Sequence, residues 1–137
     1  MPKIVKQSRT LPAPAQRLYD MYLSPRGHKQ ITGTKATIGR KPGSPFRAFD
    51  GALSGKILYT VPGRLIVQSW RSTNFGKRDI DSTLVLTFTP QGRSSTRVDL
   101  VHVNVADRDY KGVSEGWPKY YWKPWRKALR RPTGRRR

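Results

Sequence analysis

Few side chains in this sequence can do acid–base or ligand chemistry. The chain has 137 residues with two histidines, eight carboxylates and no cysteine. Disulfides, thiolate metal sites and cysteine nucleophiles are thereby excluded, and little is left for a histidine/carboxylate metal centre. His102 is the candidate general base, because an unperturbed imidazole titrates near neutrality. It shares a strand face with Val98 and Leu100, whereas Asp99 points to the opposite face. Spacing therefore fixes no nucleophile or orienting carboxylate beside it, and no catalytic residue is assigned. His28, between Gly27 and Lys29 at a helix end, reads as exposed. Gln68 shares a face with Ile66 and Trp70, so it aims a polar group at a sheet interior and needs a partner. Gln68, Trp70, Phe88, His102, Trp117 and Tyr121 are the candidates for lining an apolar pocket with polar anchors. The same aromatics can equally be plain core.

Charge is the second chemical feature. Lys plus Arg number 28 against 8 Asp plus Glu, a net charge of +20. A field of that size attracts polyanions such as nucleic acid. It is densest at the end of the chain, where Arg126, Lys127, Arg130, Arg131, Arg135, Arg136 and Arg137 have no acid among them. Trp117, Tyr120, Tyr121, Trp122 and Trp125 interleave with Lys119, Lys123, Arg126 and Lys127, a pattern that single-strand nucleic-acid binders use. Helical spacing separates the two roles, however. It puts 117, 121 and 125 on one side, toward the core, and leaves charge outside. The expected binding is nonspecific. The glycines at 51, 55, 63 and 92 form no phosphate-cradling motif and read as turn residues.

The elements that must position these groups follow from periodicity and punctuation. Residues 3–11 predict a strand, stopped by Pro12-Ala13-Pro14. Residues 14–23 predict an amphipathic helix ended by Ser24-Pro25, and 26–32 a further helical turn stopped by Gly33. Strand-like runs follow at 35–39, 45–50, 52–60, 64–72, 81–89 and 95–105, broken at Asp50-Gly51, Val61-Pro62-Gly63 and Pro90-Gln91-Gly92. The last element is a helix expected to start near Ser114, a good N-cap with Glu115 in its first turn. It runs to Leu129, with Pro124 expected to kink it. An antiparallel sheet of that size has one face to bury, and the aromatic helix is the element available to cover it. The prediction is one α+β domain over residues 1–131, with 132–137 as a basic tail.

The ordered set Phe49-Asp50-Gly51-Ala52-Leu53-Ser54-Gly55, Val61-Pro62, Ile66-Val67-Gln68-Ser69-Trp70-Arg71 and Ser82–Pro90 resembles the heat-shock protein 90 ATPase activator homologues. So does the closing Gly116-Trp117 with Tyr120-Tyr121, and Ala13–Tyr19 fits the wider START-like (SRPBCC) superfamily. The resemblance implies a helix-grip fold, a curved antiparallel sheet of six or seven strands around a long C-terminal helix. It implies a non-enzymatic domain without a cofactor, binding a hydrophobic small molecule between sheet and helix or a protein client in a chaperone or stress context. A polyanion-binding protein and a weak cavity enzyme of the superfamily's cyclase type are the competing expectations. No run approaches the ~20 apolar residues of a membrane span. The N-terminus has no apolar signal region, so a cytoplasmic protein is expected.

Overall fold

The computed structural model describes residues 2–130. Strand β1 (Lys3–Leu11) leads into helices α1 (Ala15–Leu23) and α2 (Pro25–Thr32). Strands β2 (Pro45–Ala48), β3 (Leu53–Val61), β4 (Leu65–Ser72), β5 (Ser82–Pro90) and β6 (Thr96–Val105) follow. A short 3-10 turn (Asp107–Asp109) then starts the C-terminal helix, made of α3 (Tyr110–Trp117), a π-helical turn (Pro118–Trp122) and α4 (Lys123–Leu129). The six strands form one curved antiparallel sheet in the order β1-β6-β5-β4-β3-β2. The first strand thus pairs with the last, and the meander β2–β6 fills the remaining order.

Strict alternation builds the buried face. Leu84, Leu86 and Phe88 of β5, Ile66, Gln68 and Trp70 of β4, and Val98, Leu100 and His102 of β6 are all buried. Register places Gln68 opposite Leu84, and Leu84 opposite His102, so the two polar side chains lie in one row across the sheet. Helices α1 and α2 meet at a tight corner. Ser24 ends α1 and caps α2, its hydroxyl accepting from the Gly27 N–H at 2.8 Å. A Cβ on Gly27 would sit 2.5 Å from the Met21 carbonyl oxygen, so only glycine permits this close approach. The corner turns the next residue, His28, into the core.

Four expectations need correction. Residues 35–39 form no strand, and only Thr37 bridges to Arg47. Ala36 and Ile38 are buried, but Thr37 alone pairs, exchanging both backbone bonds with Arg47. Strand β2 ends at Ala48, because Phe49 and Asp50 turn to φ 52° and 58°. The last helix begins at Tyr110, four residues early, and leaves Ser114 in its interior rather than at its cap. At Pro124 the helix does not simply kink. Proline cannot bond the carbonyl four residues back and its ring crowds that carbonyl. The preceding turn instead widens, so that the Lys123 N–H reaches five residues back to the Pro118 oxygen. The wide turn lets consecutive Tyr121 and Trp122 both face inward with Trp117 and Trp125.

Strand β1 holds that helix with one side chain. Pro118 has no N–H to offer the Ser114 carbonyl. Gln7 supplies the missing donor, its Nε2 reaching Ser114 O at 2.8 Å, while its Oε1 accepts from Trp122 Nε1 at 2.6 Å. Trp117 is 4% exposed and packs 4.7 Å from Tyr121, centroid to centroid. Trp117→Ala should cost about 3–5 kcal/mol, a fall in melting temperature of roughly 10 °C or more. A thermal melt followed by near-UV circular dichroism checks this, and an unchanged melt would show that the helix is not docked on the sheet.

Candidate functional site

Two polar assemblies lie between the helices and the sheet. In the first, the Tyr22 hydroxyl of α1 donates to Gln68 Oε1 of β4 at 2.5 Å. The Tyr22 carbonyl is 2.7 Å from His28 Nδ1, and a carbonyl only accepts, so Nδ1 carries the proton. His28 Nε2 must then accept from the Tyr121 hydroxyl, 2.8 Å away. Residues of α1, α2, β4 and the C-terminal helix are thus joined by directed bonds. His28, expected to be exposed, is fully buried. Sequence reasoning missed it because its inward turn depends on the Gly27 corner.

The second assembly surrounds His102. The indole N–H of Trp117 points at His102 Nδ1 at 3.3 Å, and an indole nitrogen only donates. Its Nε2 therefore holds the proton and donates to Ser82 Oγ at 2.8 Å, and the serine hydroxyl passes on to the Trp70 carbonyl at 2.6 Å. This polarity is opposite to that of a serine nucleophile activated by histidine. The imidazole lone pair is occupied by tryptophan, and the serine proton is committed to backbone. Burial pushes His28 down to about 4, against a smaller opposing effect of its bond to the Tyr22 carbonyl. Burial also pushes His102 down to about 3. It holds the Tyr121 phenol well above its ordinary range, and that of Tyr22 also, where the Tyr121 phenol adds to the effect.

A cleft of about 180 Å³ opens beside these assemblies, between the C-terminal helix and the sheet. Trp70, Trp117 and Tyr121 line it, with Phe49, Tyr120 and Asp109. Gln68, Phe88 and His102 do not. Gln68 and His102 are held in the hydrogen bonds above, and Phe88 packs edge-on against Tyr19 at 6.2 Å. The lining also includes Gly112 and Gly116, four apart on the helix and so on one side of it. That spacing was readable in the sequence, whereas Asp109 and Phe49 arrive through turns it did not specify. Among the described residues, no group of three or more His, Asp or Glu side chains could hold a metal ion.

On the other side of the helix, Arg126, Lys127 and Arg130 line a surface groove of about 480 Å³ with Arg9 and Lys123. Arg126 is anchored by its bond to the Thr10 carbonyl at 2.7 Å. The remaining cations singled out from the sequence, Arg131, Arg135, Arg136 and Arg137, lie outside the described residues.

A sequence model described as "Activator of Hsp90 ATPase homolog 1-like protein" matches residues 12–128. The chain belongs to that family. Of this family's curated members, the "Activator of 90 kDa heat shock protein ATPase homolog" of Dictyostelium discoideum is 27% identical over 101 residues, 74% of this chain but only 26% of the relative. The chain spans about a quarter of that relative's length. Among solved structures, an HSP90 activator from Plasmodium falciparum superposes with a TM-score of 0.84 at 20% identity, covering 94% of this chain and 97% of the other. The Aha1 dimer from Colwellia psychrerythraea gives 0.79 at 14% identity, covering 96% and 99%. The helix-grip fold is therefore shared by these Aha1-like proteins. No helix among the described residues is long and apolar enough to cross a membrane.

The two buried imidazoles make stability depend on pH. Their folded pKa values lie below the unfolded value near 6.5, so below that pH the unfolded chain binds more protons. The stability is present in full above about pH 6.5 and is lost as pH falls toward the folded values. Each histidine should cost about 2 kcal/mol between pH 7 and 5. Denaturant titrations across that window should show the midpoint falling steadily. A flat profile would contradict neutral, buried imidazoles.

Proposed function

We propose that this domain is a non-enzymatic binding module that docks on a chaperone of the Hsp90 type. The observation that carries the reading is the family match over residues 12–128. The saturated hydrogen bonding of His28 and His102, with no lone pair or proton left to offer a substrate, is in keeping with it. Docking on the domain's surface needs no large internal void, and the cleft is smaller than the ~300 Å³ at the lower end of ordinary small-molecule sites. The net charge of +20 suits an acidic partner surface and predicts association that is fast and salt-sensitive.

A second reading rests on the groove of Arg9, Lys123, Arg126, Lys127 and Arg130. These five cations would neutralise phosphates of a nucleic acid and release its counterions on binding. No side chain is placed to read bases, so such binding would be sequence-blind.

One set of titrations separates the two. The purified chain is titrated with an Hsp90-type chaperone, with and without nucleotide, by calorimetry, and the chaperone's ATPase rate is followed alongside. A stoichiometric complex that weakens as salt rises is expected. Absence of a complex at low salt rejects the chaperone reading. In the parallel titration with two unrelated duplexes, the polyanion reading expects a log–log salt slope of about −0.9 per phosphate contacted, and no binding at low salt rejects it.

A further inference from the structure

The cleft between the C-terminal helix and the sheet has a composition unlike the rest of this basic protein. Its walls include the rings of Phe49, Trp70, Trp117, Tyr120 and Tyr121. Phe49 stands edge-on to Tyr120 at 5.3 Å and to Tyr121 at 6.3 Å, and Trp117 lies 4.7 Å from Tyr121, so these four rings form a connected wall. At one end lies a single carboxylate, Asp109, only 6% exposed. It accepts from the Ser72 hydroxyl at 2.6 Å and from Asn74 Nδ2 at 3.2 Å. Among the described residues no lysine, arginine or histidine pairs with it, although the chain carries 28 basic side chains. A carboxylate has about four lone-pair positions, and here two remain open. Gly112 keeps that side clear, since a Cβ there would stand 3.1 Å from Asp109 Oδ1.

A buried carboxylate without a counter-ion is costly, and aromatic faces around it attract cations through their quadrupoles. Both features call for the same kind of ligand. We propose that the cleft binds a small organic cation, an alkylammonium group held among the rings with its charge on Asp109. The volume of about 180 Å³ suits a trimethylammonium-sized group rather than a long lipid chain. One face of Tyr120 is taken by Lys119 Nζ, 5.2 Å from the ring centroid, so the ligand's charge is left to Asp109 and the other rings. The more distant basic surface opposes the ligand only weakly, because charges beyond about 8 Å are screened at physiological salt. The site is independent of the chaperone reading, and its test uses the isolated full chain.

The probes are choline and neohexyl alcohol, its uncharged carbon isostere. Binding is followed by the amide resonances of Gly112 and Gly116 and by tryptophan fluorescence. Choline should saturate and bind about tenfold or more tighter than the isostere, because the cation–ring and ion-pair attractions exist only for the charged form. Asp109→Asn keeps the side-chain shape and should cut that preference severalfold, leaving only the cation–ring part. Because Asp109 also holds Ser72 and Asn74, its variant is accompanied by Gly116→Ala. A Cβ there meets Tyr120 at 3.6 Å, an ordinary contact, so this variant should fold, with the helix favoured over the glycine form, while its methyl narrows the cleft. It should weaken choline binding while the melting temperature holds or rises. Equal affinity for choline and its isostere overturns the proposal, as does failure of choline to saturate at tens of millimolar. So does choline binding that Gly116→Ala leaves unchanged.

Discussion

The fold depends on keeping a proline-containing helix seated on an apolar sheet face that also carries Gln68 and His102. Gln7 meets the first part of that constraint, donating to the carbonyl that Pro118 leaves without a partner and accepting from Trp122. The His28–Tyr121 bond meets the second, tying the same helix to α2, which packs beside it. An unpaired buried carbonyl or imidazole nitrogen would cost about 1–3 kcal/mol each. The helix therefore has one seat in which the Ser114 carbonyl, the Trp122 indole and the Tyr121 hydroxyl are all met, although the buried Trp125 indole N–H finds no partner among the described residues. Apolar packing supplies the bulk of the affinity between helix and sheet, and these few directed bonds set its rotation and depth.

From that seating follows the division of the interior. Gln68 and His102 lie in one row across the sheet, but each is claimed by a different neighbour, Tyr22 for the first and Trp117 with Ser82 for the second. Neither is left to face the cleft. The cleft instead receives Asp109 from the turn before the helix, and its floor is open because two helix positions are glycine. In the interior the histidines act as neutral spacers with fixed proton positions, and the unspent polarity lies with the buried Asp109 carboxylate and with the indole N–H groups of Trp70 and Trp125, which have no partner among the described residues.

Much of the fold was legible in the sequence because alternation and turn residues fix strands locally. Leu84, Leu86 and Phe88 declare a buried face, and Pro90-Gln91-Gly92 declares the reversal after it. The family signature, spread from Ala13 to Tyr121, was legible for the same reason. The parts that escaped depend on tertiary geometry. His28 looks exposed beside Gly27 and Lys29 until the α1–α2 corner turns it inward. Trp122 falls on the outer face of an ideal α-helix and becomes buried only because Pro124 widens the turn before it. Of the proposed lining, Trp70, Trp117 and Tyr121 were found by their size and side, whereas Asp109 and Phe49 are brought in by turns with no periodic signal. Gln68 and His102 were correctly read as polar groups in a sheet interior that need partners, but the partners sit far away in sequence.

The bond from Gln7 to Ser114 spans 107 positions, and β1 pairs with β6 along nearly its whole length. Strand β1 must therefore wait for almost the last element of the domain before it finds its place. Contacts this distant slow folding, since the intervening chain must close before they reward it. During synthesis β1 stays unpaired until β6 has emerged, and the domain completes itself only when its C-terminal helix follows. A cut within that helix leaves the strand without its clamp, which couples folding of the domain to the presence of its last element.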